Sequence, residues 1–317
     1  MTTDFAGIVL GAGYGTRLRP FTEELPKPLV PVLNHTPLWH QIMLLRESGI
    51  EDIYVNLHFM PDLMKKYIKK NFPDVNLIYE PVILGTGGGI RNIISKFNIN
   101  KPLVVLNGDT ISVVNIKEII SFFNETSSDA TMLLIKDNSI PYENAVFADR
   151  QNHIRYIKKK PLFEKGLNRL RFLGVHILNV TVFEYLPSKG CINKLTYPKL
   201  IRDGLNVSAC ITENDSFDIG KPETLWNTNI KFLQKKITSP VFKSEYISRI
   251  VDKNGNVIGQ NTSIFNSLIK NSVIADDVVI RDSKIDCCLI FPNTKLSNQN
   301  IKRCVANNKY KYIIKSR

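Results

Sequence analysis

The stretch "GAGYGTRLRPFTEELPKPLVPV" (residues 11–32) gathers groups that could do chemistry: three glycines in five residues, then Arg17, Arg19 and Lys27 among prolines. It follows the apolar run Phe5–Leu10 almost without a break. Glycines directly after a strand let the backbone come close to a ligand, often a phosphate. The spacing is not a dinucleotide fingerprint, because Arg17 and Pro20 occupy what would be the first helical turn. It is not a Walker loop either, because no Gly-Lys-Ser/Thr follows. Two aspartates stand further along: Asp109 after the apolar "LVVL" and Asp218 between "SF" and Ile219-Gly220. A lone aspartate after a strand is ordinarily a turn or a helix cap, so these two acquire meaning only from their context.

The elements that must position these residues alternate along the first half of the chain. Strands are predicted at Phe5–Leu10, Asp52–Leu57, Val75–Tyr79, Leu103–Leu106 and Ala130–Ile135. Helices are predicted at Leu38–Glu47, Asp62–Lys70, Gly88–Phe97 and Ile116–Phe123, the first with Leu38, Ile42 and Leu45 on one face. Strand–helix alternation implies an α/β fold with a parallel, doubly wound sheet, which binds ligands beyond the carboxyl ends of its strands. The glycine turn and "NGDT" (107–110) fall there.

Residues 257–304 read differently, as three consecutive 16-mers: "VIGQNTSIFNSLIKNS", "VIADDVVIRDSKIDCC" and "LIFPNTKLSNQNIKRC". Ile258, Ile274 and Ile290 share one column, Ile264, Ile280 and Leu296 another, and Ile269, Ile285 and Ile301 a third. Such a period describes coils of a parallel β-helix that stack aliphatic side chains. Ser272, Cys288 and Cys304 share a column and read as small packed residues. The expected organisation is a catalytic domain over 1–237, a linker over 238–256, and the repeats with a basic tail over 257–317.

Composition bounds the partners. The chain is 43% hydrophobic and 22% charged. That is an ordinary globular balance. No apolar run reaches the length of a membrane span, roughly 18 residues. "MTTDFAGIVLGAG" lacks a basic n-region and reads as a first core strand, not a signal peptide. Cys191, Cys210, Cys287, Cys288 and Cys304 form no CxxC pair, which argues against zinc and disulfides and fits a reducing cytoplasm. The formal charge of +13 is spread over clusters at 65–70, 158–160, 235–236 and 309–315. No nucleic-acid-binding motif accompanies them, so they read as solvated faces that help attract small anions.

Taken together, the glycine turn, Thr16-Arg17-Leu18 and Pro26-Lys27-Pro28 resemble the opening motif of the sugar-phosphate nucleotidyltransferases (nucleotide-sugar pyrophosphorylases). The resemblance continues through "LGTGGGI" (84–90), "LNGDT" (106–110), "FLGVHIL" (172–178), "FDIGKPE" (217–223) and the repeats. It implies a Rossmann-like doubly wound mixed sheet with a short C-terminal left-handed β-helix. The implied reaction is attack of a sugar 1-phosphate on the α-phosphorus of a nucleoside triphosphate, with pyrophosphate leaving. The attacking oxygen is already anionic, so positioning and charge neutralisation suffice and no Ser-His-Asp machinery is needed.

Carried over motif by motif, the resemblance assigns roles. Leu10, Gly11, Ala12 and Gly13 would frame the nucleoside, and Gly13, Gly15 and Thr16 would line the triphosphate. Arg17 would hold the leaving pyrophosphate through its planar fork, and Lys27 would neutralise the α-phosphate. Gly85, Thr86 and Gly87 would form the base-binding loop. Asp109 and Asp218 would hold Mg²⁺ as hard oxygen ligands. On the sugar side, Lys160 fits the lysine that meets the sugar phosphate and Gly174 the glycine of the sugar-pocket strand, while Asn144 stands where a glycine beside the sugar is common and Lys159 replaces an acid usual in the family. His176 reads as a packed strand histidine.

Glu80 could accept hydrogen bonds from the N1–H and exocyclic amine of guanine. That choice, together with "EPVILGTGGGI…LNGDT", favours GTP and the branch acting on mannose or manno-heptose 1-phosphates. Uridylyl or thymidylyl transfer to another sugar 1-phosphate, and a non-catalytic nucleotide-sugar-binding homologue, stay open. A β-helix acyltransferase is disfavoured, since all five histidines (35, 40, 58, 153 and 176) precede the repeats. The open end of the repeats would suit a second copy of the chain.

Overall fold

The computed structural model describes residues 4–161 and 165–315. Residues 1–3 and 316–317, at the outer limits of the expected domains, and 162–164, just after Lys160, lie outside the described residues. The chain divides into two compact units that interleave in sequence. One comprises the residues up to Gly13, Gln41–Gly108 and Val114–Ser216; the other comprises Tyr14–His40, Asp109–Val113 and the chain from Phe217 onward. The expected division into contiguous stretches at 237 and 256 does not describe these units. The segment between those positions carries the helix Ser244–Ile250, with Phe242 and Ile247 buried.

The first unit is built on a nine-stranded sheet. Ala6–Leu10 pairs in parallel with Ile53–Leu57 on one side and Leu103–Asn107 on the other, and Asn76–Tyr79 extends the parallel set. The first three strands are buried almost throughout, as in a sheet covered on both faces. The predicted helices form at Pro37–Glu47, Pro61–Asn71, Gly85–Phe97 and Ile116–Glu125.

The sheet is mixed, not wholly parallel. Asn168–Leu178 runs antiparallel to both Leu103–Asn107 and Ala130–Lys136. It arrives after Ala145–Ala148 and Ile154–Ile157, which pair antiparallel with each other. Antiparallel pairing needs no crossover helix. Where its register shifts against Met132 and Leu134, Gly174 adopts φ +83°. A Cβ there would sit 3.2 Å from the Asn107 side chain.

His176 on the same strand is 2% exposed, and its Nδ1 lies 2.6 Å from the Tyr197 hydroxyl. Burial pushes this imidazole down to about 3, and pushes His35 of the second unit down to about 4, from an ordinary 6.5. As pH falls through 6.5 the unfolded chain takes up protons that the folded chain refuses. The stability present above that pH is therefore expected to decline below it, by up to about 1.4 kcal/mol per pH unit for each histidine. Denaturant unfolding at neutral and at mildly acidic pH measures the fall, and His176→Gln should reduce it. An undiminished fall in that variant would exclude His176 as its source.

In the second unit the 16-residue period becomes strand register. Val257, Val273, Leu289 and Val305 stack in one column, Ile264, Ile280 and Leu296 in a second, and Ile269, Ile285 and Ile301 in a third. Three sheets of short strands result, as a three-sided β-helix requires. Its corners repeat with the same period and are left-handed: Asn261, Asp277 and Asn293; Asn266, Asp282 and Asn298; Asn271, Cys287 and Arg303. Asn and Asp tolerate that conformation better than other side-chain-bearing residues. Val257, Val273, Leu289, Phe291 and Val305 share an apolar cluster with Leu18, Phe21, Val30, Ile219 and Phe232. Among the described residues no helix is long and apolar enough to cross a membrane.

Candidate active site

Four charged side chains singled out in the sequence converge in the second unit. Gly15, at φ +65°, turns the chain into the single turn Thr16–Leu18; a Cβ there would lie 2.9 Å from the Cβ of Lys27. Leu18 is fully buried, which leaves Arg17 exposed on the opposite side of the turn. Pro26 is extended and Pro28 lies within the next turn, Lys27–Leu29. The fixed φ values of these prolines present the Lys27 side chain inward. Asp109 immediately precedes the short strand Thr110–Ser112, which pairs with Ser216–Asp218, so one two-stranded ribbon carries both aspartates.

Lys27 is only 4% exposed. Its Nζ donates to Asp109 Oδ2 at 2.8 Å and to Asp218 Oδ1 at 3.1 Å. Arg17 Nη1 lies 2.9 Å from the other oxygen of Asp218. Asp218 Oδ1 also accepts from the Gly220 amide at 2.8 Å. A Cβ on Gly220 would approach Arg17 Nη2 and Asp218 Oδ1 to 2.8 Å each, so this glycine leaves room for the pair. Burial raises the Asp218 carboxyl, but the Lys27 charge and hydrogen bond, with Arg17 beside it, outweigh that and hold it below the usual carboxylate range.

The two carboxylates share one point cation, so their oxygens already face a common centre. Among the described residues no cluster of three or more His, Cys, Asp or Glu could hold a metal ion by itself. Two carboxylates suit Mg²⁺, which keeps waters and takes its remaining oxygens from substrate phosphates; they do not suit an all-protein cage. The donor set therefore fits the expected metal.

The first unit holds the residues expected to receive the nucleoside. Leu10 O accepts from Gly108 N at 2.9 Å, and the Gly11 amide donates to Asn56 Oδ1 at 2.9 Å. Ala12 is buried, whereas a Cβ on Gly13 would meet no protein atom within 4 Å. Nothing in the fold itself demands a glycine at Gly13. Gly85 opens its helix at φ +74°, against the Gly190 carbonyl. Thr86 Oγ1 accepts from Ile192 N at 3.0 Å, and Gly87 N donates to Gly190 O at 2.9 Å. Glu80 is completely buried, and its oxygens accept from Asn56 Nδ2 at 2.8 Å and Leu84 N at 3.2 Å.

The residues expected beside the sugar phosphate lie in the same unit. Lys160 Nζ stands 5.3 Å from the centre of the Tyr142 ring, which opens the turn Tyr142–Asn144, and Arg169 stacks on that ring at 4.1 Å. Gly174 lies beside Asn107. Sequence reasoning missed Asn56 and Gln41, whose Nε2 donates to Asn107 O at 2.9 Å. The available signal for Asn56 is a polar residue inside the apolar strand "IYVNL".

The chain has relatives among known proteins. Mannose-1-phosphate guanylyltransferase 1 of Arabidopsis thaliana is 27% identical over 320 residues, covering 98% of this chain and 84% of that protein. The mannose-1-phosphate guanyltransferase of Saccharomyces cerevisiae is 31% identical over 237 residues, covering 72% of this chain and 64% of that protein. In fold the chain is similar to HddC from Yersinia pseudotuberculosis, solved with GMP-PN, at a TM-score of 0.59 and 24% identity over 73% of this chain and 100% of that one. The sequence model of the nucleotidyl transferase family matches residues 6–235. That match spans the glycine turn, Lys27 and both aspartates, and the chain belongs to the nucleotidyl transferase family.

Proposed function

We propose that the protein is a guanylyltransferase acting on mannose 1-phosphate or a closely similar sugar 1-phosphate. An oxygen of the sugar phosphate bonds to the α-phosphorus of GTP, the bond to the β-phosphate bridging oxygen breaks, and pyrophosphate leaves with that electron pair. One observation carries the reading: a buried lysine pinned between two carboxylates, with an arginine on the second. The names and coverage of the relatives support the choice of GTP and mannose 1-phosphate.

In this reading Lys27 neutralises charge as it builds on the α-phosphate, and Arg17 takes the pyrophosphate oxygens through its fork. Members of the family generally use a divalent metal. Asp109 and Asp218 would hold Mg²⁺ here. A metal held there would supply charge neutralisation to the triphosphate. The open backbone at Gly13, with Gly15 and Thr16, would line the triphosphate; the Gly85–Gly87 turn would receive the base, and Asn144, Lys160 and Gly174 the sugar phosphate. The five free cysteines support a cytoplasmic setting. Exposed Ile264, Phe265 and Leu268 on the first coil support self-association, which light scattering would read as a mass above that of one chain.

The test is pyrophosphate release with GTP, UTP, dTTP, ATP and CTP against a panel of sugar 1-phosphates and Mg²⁺. GTP with mannose 1-phosphate should give the highest kcat/KM. A preference for UTP or dTTP would overturn the base assignment, and no turnover with any pair would leave a nucleotide-sugar-binding protein.

A further inference from the structure

Glu80 is an unusual residue to find with 0% exposure. Burying a carboxylate costs free energy unless donors replace its water. The donors are neutral N–H groups, one to each oxygen. Asn56 Nδ2 donates to Oε1 at 2.8 Å, and the Leu84 amide donates to Oε2 at 3.2 Å. Asn56 turns its own oxygen the other way, to the Gly11 amide at 2.9 Å. A chain of three hydrogen bonds therefore runs from the first glycine loop through Asn56 and Glu80 to the residue before Gly85. The same pair explains a third glycine: a Cβ on Gly89 would lie 2.7 Å from Asn56 Nδ2 and 2.9 Å from Glu80 Oε1. The strands Ile53–Leu57 and Asn76–Tyr79 present the two residues at their carboxyl ends, where Glu80 N also bonds Leu57 O at 2.8 Å.

We propose that Asn56 and Glu80 are positioning residues that clamp the Gly11 loop to the Leu84–Gly85 turn, so that the fixed spacing of the two loops, and not a contact from Glu80 to the base, sets nucleotide affinity. The proposal rests on the reading that these two loops receive the nucleotide. Its chemistry is specific. Glu80 must accept twice, and a glutamine accepts once and donates once, so Glu80→Gln turns an N–H toward either Asn56 or Leu84. Asn56→Asp keeps the acceptor for Gly11 but places two carboxylates against each other. The double variant Asn56→Asp/Glu80→Gln satisfies every group again. Its new carboxylate would accept from Gly11 and from the new amide, whose oxygen accepts from Leu84.

The experiment compares wild type, both single variants and the double variant by melting temperature and by KM and kcat with GTP and ITP, which lacks the guanine exocyclic amine. Each single variant should raise KM for GTP and ITP by the same factor, roughly 10- to 30-fold, with a smaller change in kcat. The double variant should return to within about 3-fold of wild type, a coupling that independent sites do not show. A much larger loss with GTP than with ITP in Glu80→Gln would make Glu80 a base contact and overturn the clamp. So would a double variant no better than the worse single one. Wild type inactive with every triphosphate would instead overturn the guanylyltransferase reading, while recovery of melting temperature in the double variant would still report the hydrogen-bond exchange.

Discussion

Lys27→Ala is expected to lower kcat by about 10³-fold while leaving the protein folded, a magnitude in the range seen when a preorganised donor at a reacting phosphate is removed. The lysine is rigid because both neighbours hold it, at 2.8 Å to Asp109 and 3.1 Å to Asp218, so its charge needs no reorganisation as the phosphate reacts. Stability should change little. The Asp109 and Asp218 side chains are 40% and 53% exposed, and water can solvate them once the cation is gone. A second readout follows from Asp218. Its carboxyl is held low against burial chiefly by Lys27, with Arg17 assisting. Without the lysine that carboxyl should protonate at higher pH, so the acidic limb of the kcat/KM profile should move upward. Pyrophosphate release measured from acidic to alkaline pH, with circular dichroism as a folding control, checks both. A variant with wild-type kcat would remove Lys27 from the chemistry, and a loss of kcat with an unmoved acidic limb would disconnect it from Asp218.

The proposed site is legible in the sequence to the extent that its residues sit on strand ends and rigid turns. Asp109 and Asp218 stand far apart along the chain but share a ribbon; spacing alone gives no hint of that, and only the motifs around them do. The strand and helix alternation up to residue 136 is readable from apolar periodicity, with ends displaced by a few residues at most, except for the three-residue strand Thr110–Ser112. The helix Gly85–Phe97 begins earlier than the expected Gly88 because glycine argues locally against helix. Here tertiary contact overrides that preference: Gly87, Gly88 and Gly89 are buried against Pro187, Ser188 O and the Asn56–Glu80 pair, where a side chain would collide. The direction of the strand Asn168–Leu178 is not readable from its pattern, because alternation does not state direction; the mixed sheet follows only from the resemblance. Glu80 shows the opposite limit. Its type suggests an acceptor, but its burial depends on Asn56, a neighbour across strands that a linear reading cannot place.

The repeats raise the other large expectation. Aliphatic columns at a period of 16 make the coils readable, but only as an appendage behind a linker. The side chains argue for a shared core instead. Phe21, two residues past Arg19 in the glycine-turn segment, is 2% exposed and packs on Phe291 of the third coil at 5.1 Å between ring centres. Trp226, on the helix that follows Asp218, donates its Nε1 to Cys287 O at 2.6 Å, and Arg303 lies over its ring at 5.2 Å. Lys309 pairs with Glu24, and Tyr312 donates to Glu223. The segments bearing Arg17, Lys27 and Asp218 thus rest on side chains that the coils supply. Deleting residues 257–317 should give aggregated or dye-binding protein with no pyrophosphate release, because Leu18, Phe21, Val30 and Ile219 lose their cover. Since outright unfolding says little about the site, Phe291→Ala is the finer probe. It should cost about 3–5 kcal/mol of stability and, at a temperature where the variant stays folded, lower kcat with little change in the KM for sugar 1-phosphate. A truncated chain that is monomeric, folded and fully active would show that the repeats are detachable and that Arg17, Lys27 and Asp218 hold their geometry without them.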